Sequence, residues 1–353
     1  MLQTRDPTEI MTRAFITGVA GTSISPAERG FLREAAPWGL ILFKRNIENP
    51  QQVSNLVSDF RECVRCDDAP VLIDQEGGRV QRLGPPHWPA YPPGGVFGEI
   101  YDHNPAVALA AAKLGARLIA ADLAALGITV DCLPLADLRL PGADLVIGNR
   151  AYGATPDKVA AIAAAVAEGL MDGGVLPVLK HIPGHGRAMA DSHLSLPVVN
   201  ADRAELEATD FAAFRQLRGL PLGMTAHVVY TAFDTLPATT SAAMINEVIR
   251  GFIGFEGLLM SDDVSMGALS GTIAERSVAS LAAGCDVVLH CNGNIAEMEE
   301  VAANTSDLRG ASAQRAAAAL AARRRPSEID LSTARVEFAR ILRETGATGS
   351  AMV

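Results

Sequence analysis

The chain has few cysteines and few aromatic side chains. Its 353 residues include five cysteines, and aromatic residues make up 5% of the total. An odd number of thiols cannot all pair in disulfides, and a chain of this length buries a sufficient core without them. Cys63 and Cys66 have the spacing of half a zinc site, but no second pair of this kind completes such a site. We therefore expect reduced thiols and no metal.

Long apolar runs are also absent. The most apolar stretch, residues 106–126, is interrupted by Lys113, Arg117 and Asp122, which is typical of a buried helix rather than a membrane span. Charged side chains are scattered through residues 5–13, where a signal peptide would carry an uninterrupted apolar core. The sequence thus predicts a cytoplasmic protein that is not associated with a membrane.

Basic side chains are in the minority. The chain has 30 Lys and Arg against 40 Asp and Glu, a net charge of −10 at pH 7, which argues against binding to nucleic acid or anionic lipid. It also lacks the motifs G-x-G-x-x-G after its first apolar run, G-x-x-x-x-G-K-[ST] and G-x-S-x-G. The usual anchors of dinucleotide, nucleotide and serine-hydrolase sites are therefore missing. We expect no cofactor and a small polar or neutral molecule as the partner.

The sequence does contain a regular alternation of apolar, β-branched runs with Ala-rich or amphipathic segments. Eight runs predict strands, at Phe15–Val19, Gly39–Phe43, Val71–Ile73, Ile128–Leu133, Val175–Leu179, Leu222–Thr225, Leu258–Met260 and Asp286–Leu289. Eight parallel βα units close most simply into a single-domain (β/α)8 TIM barrel, which we favour over a doubly wound open sheet with extra helices. The predicted catalytic domain spans residues 1–353, allows irregular first units and ends in a helical tail at about 306–353.

Proline marks several predicted boundaries in this alternation. Four helix starts place a capping side chain directly before a proline, at Ser25, Asn49, Asn104 and Thr155. The segment from Pro85 to Gly98 holds five prolines and three glycines, and this composition predicts a long loop after the third strand.

Polar side chains collect where the predicted strands end. They are Asp74, Lys180, His181, His227, Asp262, Asp263, His290 and Asn292. Active sites of (β/α)8 enzymes lie at the carboxyl ends of the strands, so this convergence indicates a site. Any one of these residues alone is equally compatible with a hydrogen-bond network or a salt bridge at the barrel rim.

The densest polar cluster is the segment KHIPGHGRAMADSH, residues 180–193. Asp191 and His193 are two positions apart, so that in an extended loop they lie on one side and predict a dyad. The carboxylate would fix the imidazole tautomer and suit a histidine that first donates a proton and then removes one. The alternative is an ordinary loop histidine beside a capping residue.

The same histidines also permit a metal hypothesis. His181 and His185, with His193 and Asp262, offer enough ligands for a barrel metallohydrolase. The Pro183-Gly184 pair breaks the helix that would align the two histidines of the H-x-x-x-H spacing. We therefore predict no metal at this site.

Five motifs together resemble the bacterial β-N-acetylhexosaminidases of glycoside hydrolase family 3, single-domain enzymes of peptidoglycan recycling. They are IDQEGGRVQR at 73–82, IGNRAYG at 147–153, KHIPGHG with DSH at 180–186 and 191–193, MTAHV at 224–228 and MSDDVSM at 260–266. The resemblance covers most of the chain. It departs at residues 194–197, Leu-Ser-Leu-Pro, where relatives often carry charged residues.

The resemblance implies a role for each matching residue. It makes Asp262 the nucleophile, His193 the general acid/base and Asp191 its partner. The residues it implies for binding the N-acetylglucosamine ring are Asp74, Arg82, Arg150, Lys180 and His181.

The implied activity is that of a retaining exo-β-N-acetylglucosaminidase. It would release terminal GlcNAc from GlcNAc-1,6-anhydroMurNAc and its peptides, as a monomer or weak homodimer. Two alternatives stay open at this point. A phosphorylase would release GlcNAc-1-phosphate, because an acid/base without negative charge tolerates phosphate in place of water, and a silent sugar-binding protein would keep the pocket without turnover.

Overall fold

The structure, a computed structural model, describes residues 12–347 except 143, 189–191, 193 and 194. Eight parallel strands form a closed barrel in which each strand pairs with its neighbours in the chain and the first pairs with the last. Strands β1 to β8 are Arg13–Thr17, Pro37–Leu42, Val71–Ile73, Val130–Asp131, Leu176–Ile182, Leu222–Thr225, Leu258–Asp263 and Val287–His290. The predicted (β/α)8 barrel is confirmed, and the open sheet was the wrong alternative.

Helices cover the outside of the barrel and follow its strands. Helices α1 to α11 are Pro26–Ala35, Pro50–Val64, Gly94–His103, Pro105–Ala124, Pro156–Asp172, Arg203–Ala208, Asp210–Gln216, Ile273–Ala283, Ile295–Asn304, Gly310–Ala321 and Leu331–Thr345. A π-helix, Met244–Ile253, lies between β6 and β7. Within the described ranges, no helix combines the length and the apolar content needed to cross a bilayer.

The apolar runs form strands because both of their faces are buried. All six residues of β2 are buried, since one face points into the barrel and the other packs under helices. The interior is filled by side chains such as Ile41, Leu72, Val178 and Met260, together with Ala316 of α10. The barrel is thus a packed core rather than a pore, and α10 belongs to that core.

Three of the four predicted helix caps are present. Ser25 accepts a hydrogen bond from the backbone of Glu28 in a reciprocal capping box, and Asn49 and Asn104 cap α2 and α4. The prediction for Thr155 was wrong, because its side chain makes no capping hydrogen bond.

The loop predicted from Pro85 to Gly98 was also partly wrong, because α3 begins at Gly94. A Cβ atom at Gly94 would collide with the carbonyl oxygen of Arg150, and one at Gly98 with that of Tyr152. The glycines therefore permit close packing of a helix against the segment that carries Arg150. Composition alone counted them as helix breakers.

Candidate active site

A cavity of about 370 Å³ opens at the carboxyl ends of the barrel strands. Its lining includes all six predicted site residues that the structure describes, namely Asp74, Arg82, Arg150, Lys180, His181 and Asp262. Lys180, His181 and Asp262 lie within the last residues of β5 and β7 rather than after them. The strands themselves therefore hold three of these six side chains.

Asp74 shares its carboxylate between two cations. Arg82 Nη2 lies 2.8 Å from Oδ2, and Lys180 Nζ lies 2.9 Å from Oδ1. Burial alone would raise the pKa of Asp74, but the charges and hydrogen bonds of Lys180 and Arg82 outweigh it and hold that pKa well below its usual range. Asp74 is thus an anionic acceptor with a fixed orientation.

Glu76, which is not part of the cavity lining, repeats this arrangement. Arg150 donates to both of its oxygens, at 2.9 and 2.7 Å, and Lys180 Nζ lies 2.7 Å from Oε1. Burial again acts in the opposite direction, yet Arg150 and Lys180 lower the pKa of Glu76 to about 2. Glu76 is a buried carboxylate that links two of the predicted sugar-binding cations.

His181 is oriented by a carboxylate that sequence reasoning missed. Its Nδ1 lies 2.7 Å from Oδ2 of Asp137, whose other oxygen accepts a hydrogen bond of 2.6 Å from the backbone of His185. Asp137 is fully buried. Burial raises its pKa, but the charges and hydrogen bonds of His181 and His185 together outweigh burial and lower that pKa. Asp137 lies six residues after the last residue of β4, beyond the strand-end positions that indicate the other site residues.

The two adjacent aspartates of β7 have different surroundings. Asp263 accepts hydrogen bonds from Ser265 Oγ at 2.7 Å and from the backbone of Cys291 at 3.2 Å. Asp262 lines the cavity, its backbone N–H lies 3.3 Å from Thr225 Oγ1, and its Oδ1 accepts from the N–H of Asp263 at 2.8 Å. Asp263 therefore ties the end of β7 to β8, while Asp262 presents a carboxylate to the cavity.

The strand-end histidine of β6, His227, lies behind this pair. Its Nδ1 is 2.7 Å from Thr239 Oγ1 and its Nε2 is 3.0 Å from the carbonyl of Asp263. Burial lowers its pKa. It is not part of the cavity lining, and it supports the segment that carries Asp263.

The predicted dyad, Asp191 and His193, lies outside the described residues. Ser192 between them is described and buried. In the part of the chain that the structure describes, no group of three or more His, Cys, Asp or Glu side chains has the arrangement of a metal site.

The model of the glycosyl hydrolase family 3 N-terminal domain matches residues 14–322. The chain belongs to glycosyl hydrolase family 3. The match runs from β1 through the end of α10, so the whole barrel and its cavity lie inside the family domain.

Known proteins are similar to most of this chain. The β-hexosaminidase of Alkalilimnicola ehrlichii is 42% identical over 78% of this chain and 79% of its own length. The structure of NagZ from Neisseria gonorrhoeae in complex with N-trifluoroacetyl-D-glucosamine aligns with a TM-score of 0.83 and 32% identity, over 97% of this chain and 99% of that one. The β-N-acetylglucosaminidase from Paenibacillus sp. str. FPU-7 aligns with a TM-score of 0.76 and 30% identity, over 96% of this chain but 63% of that longer one.

Proposed function

We propose that this family 3 glycoside hydrolase, of the β-N-acetylhexosaminidase type, is a retaining exo-β-N-acetylglucosaminidase. Asp262 is the nucleophile, His193 the general acid/base and Asp191 the partner of His193. Asp74, Arg82, Arg150, Lys180 and His181 bind the sugar. The observation that carries this proposal is that Asp262 lines the same cavity as these five oriented polar groups.

The chemistry follows from these proposed roles. Ionised Asp262 attacks the anomeric carbon while protonated His193 gives its proton to the departing oxygen, which leaves as an alcohol. Water, deprotonated by His193, then opens the glycosyl-aspartate ester and regenerates both groups. Two inversions at the anomeric carbon retain the β configuration.

The charged cavity wall supports binding of a polyhydroxyl ring. Carboxylates accept hydrogen bonds from sugar hydroxyls, and the Arg and Lys groups between them donate. A solved neighbour is a complex with N-trifluoroacetyl-D-glucosamine, an N-acylated glucosamine. We propose terminal β-linked GlcNAc of peptidoglycan fragments, GlcNAc-1,6-anhydroMurNAc and its peptides, as the substrate in the cytoplasm.

Substitution of the nucleophile tests the assignment. We expect Asp262→Ala to abolish hydrolysis of an aryl β-GlcNAc with the thermal unfolding midpoint nearly unchanged, because Asp262 is part-exposed in the cavity. An activated 5-fluoro glycosyl donor should label the wild-type peptide that contains Asp262, detected by mass spectrometry. Full turnover by the variant, or labelling of another residue, contradicts the role of Asp262.

Proton NMR of the wild-type reaction separates hydrolysis from phosphorolysis. We expect β-GlcNAc as the first product at the same rate with and without phosphate. Phosphate-dependent formation of GlcNAc-1-phosphate would instead identify a phosphorylase.

A further inference from the structure

Ser192 is a fixed point between the two residues of the proposed dyad. Its side chain is buried, with 3% of the residue exposed. Its Oγ lies 3.1 Å from His185 Nε2, and its carbonyl oxygen accepts a hydrogen bond of 3.1 Å from the backbone of Ala268. Asp191 and His193 are outside the described residues, and each is joined to Ser192 by one peptide bond.

His185 is held firmly enough to act as an anchor. It is 3% exposed, its backbone N–H donates to Asp137, and its ring packs edge-on against His181 with centroids 5.9 Å apart. The chain on either side is also fixed, because Tyr230 donates to the carbonyl of Gly184 and a Cβ at Gly186 would collide with the backbone of Leu138.

One nitrogen of the His185 ring, Nε2, contacts Ser192, and the other, Nδ1, has no hydrogen-bond partner among the described residues. Burial, followed by the neighbouring His181, lowers the pKa of His185 to about 4, so the ring is neutral near pH 7. In a neutral imidazole one nitrogen carries the proton and the other is an acceptor. A buried N–H without a partner is costly. We therefore assign the proton to Nε2, which donates to Ser192 Oγ, and leave Nδ1 as the unprotonated nitrogen.

Ala268 supplies the second anchor, from a different segment of the barrel mouth. It lies in the segment after β7, the strand that ends in Asp262 and Asp263. That segment is secured by Arg276 Nη1, which donates to the carbonyl oxygens of Val264 at 2.9 Å and of Met266 at 3.2 Å. Ser192 therefore connects the end of β5 with the segment that follows the proposed nucleophile.

We propose that His185 and Ser192 are positioning residues that set the place of the acid/base relative to Asp262. His185 does not touch the reacting atoms and acts through Ser192. The inference rests on the proposed function, because it takes His193 as the proton donor. A general acid contributes about 10²- to 10⁴-fold to the rate, and a small displacement of it forfeits part of that factor.

This inference is tested by comparing two substrates, one whose leaving group needs protonation and one whose leaving group departs without it. The measurement is kcat/KM, which reports on the glycosylation step, with 2,4-dinitrophenyl and 4-methoxyphenyl β-GlcNAc as substrates. We expect Ser192→Ala to lower kcat/KM at least about tenfold for the methoxyphenyl substrate and less than about threefold for the dinitrophenyl one. His185→Leu should behave in the same way, and His185→Gln, which keeps a donor near the Nε2 position, should recover part of the loss.

Two reference variants make the outcome decisive. Ser277→Ala removes another buried serine, whose Oγ donates to Ile273 at 2.8 Å in α8, and should change neither kcat/KM value. His193→Ala should show the steepest dependence on the leaving group. Equal losses on both substrates in Ser192→Ala would overturn the positioning role while the proposed function stands. A wild-type protein that turns over neither substrate would contradict the proposed function itself.

Discussion

Lys180 has an unusual position for a lysine, because 2% of its side chain is exposed. It stands between Asp74 and Glu76, and each of these carboxylates has an arginine on its other side, Arg82 and Arg150 respectively. Positive and negative groups thus alternate in this network, of which all members except Glu76 line the cavity. Burial lowers the pKa of Lys180, but the two carboxylates raise it more, so the ammonium stays charged. The donors and acceptors that meet a sugar are therefore oriented before it binds.

Removal of Lys180 should cost both stability and binding. In Lys180→Met the carboxylates of Asp74 and Glu76 lose the cation between them, and breaking a buried ion pair from one side costs about 3–5 kcal/mol. We expect that loss in the free energy of unfolding, measured with denaturant, together with a raised KM. Lys113→Met is the matched control, because Lys113 is 41% exposed in its pairs with Glu168 and Asp172, and it should lose less than about 1 kcal/mol. Similar losses of unfolding free energy in both variants would show that the buried ion pairs of Lys180 stabilise the fold no more than exposed pairs do.

At the scale of elements, α11 secures the loop that leads from β3 to α3. Arg335 donates to Asp122 of α4 at 2.6 Å, and Asp122 also accepts from the hydroxyl of Tyr91 at 2.6 Å. The ring of Phe338 lies against Tyr91 and Phe97, with centroids 6.4 and 6.5 Å apart. The helix therefore packs against the Tyr91 segment, whose carbonyl accepts a hydrogen bond of 2.9 Å from the backbone of Gly78.

Phe338→Ala should destabilise the protein by about 3–5 kcal/mol, the usual cost of removing a buried phenylalanine. Phe338 is 7% exposed and packs on α4 at Gly115. The free energy of unfolding is the measurement. Val336→Ala in the same helix is the control, since Val336 is 67% exposed and should change stability by less than about 0.5 kcal/mol. A Phe338→Ala protein as stable as this control would mean that α11 is only loosely attached.

These elements differ in how far the sequence predicts them. The strands are predictable because short β-branched apolar runs bounded by turn residues are typical of β-strands. The start of α3 is not predictable in this way. Its glycines are needed because a Cβ atom there would collide with the carbonyl oxygens of Arg150 and Tyr152, and this close contact exists only in the folded protein. For the same reason the partnership of His181 with Asp137, 44 positions earlier, has no local signal.

On the scale of the whole molecule, the barrel has a buried charge cluster at each end. At the amino end, Asp286 accepts from Arg250 at 2.9 Å, Arg315 at 3.0 Å and Ser312 at 2.7 Å. It also accepts from the backbone of Leu259 at 2.9 Å. This cluster ties the π-helix and α10 to β7 and β8. We interpret it as structural, in line with the usual division between the two faces of such barrels.

The cluster at the carboxyl end should make stability depend on acid pH. The pKa of Glu76 falls from 4.5 to about 2 in the folded protein, so its stabilisation is complete above pH 4.5 and is lost as the pH falls towards 2. The pKa values of Asp74 and Asp137 are lowered as well, whereas burial raises those of Asp131 and Asp210, which act in the opposite direction. The test is therefore the difference in unfolding free energy between wild type and Glu76→Gln. We expect that difference to favour the wild type above pH 5 and to shrink as the pH falls to 2; a constant difference would contradict the linkage.

The closure of the barrel also has a consequence for the order in which the chain is made. Every strand pairs with a neighbour in the sequence except at one seam, where Phe15 to Thr17 of β1 meet Val288 to His290 of β8. A ribosome delivers β1 early and β8 near the end, at a pace of about 5–20 residues per second. One edge of β1 therefore stays without its strand partner until β8 is made, and an unpaired apolar edge invites pairing with other chains. The nascent protein is most exposed to aggregation, and most in need of a chaperone, in the interval before β8 emerges.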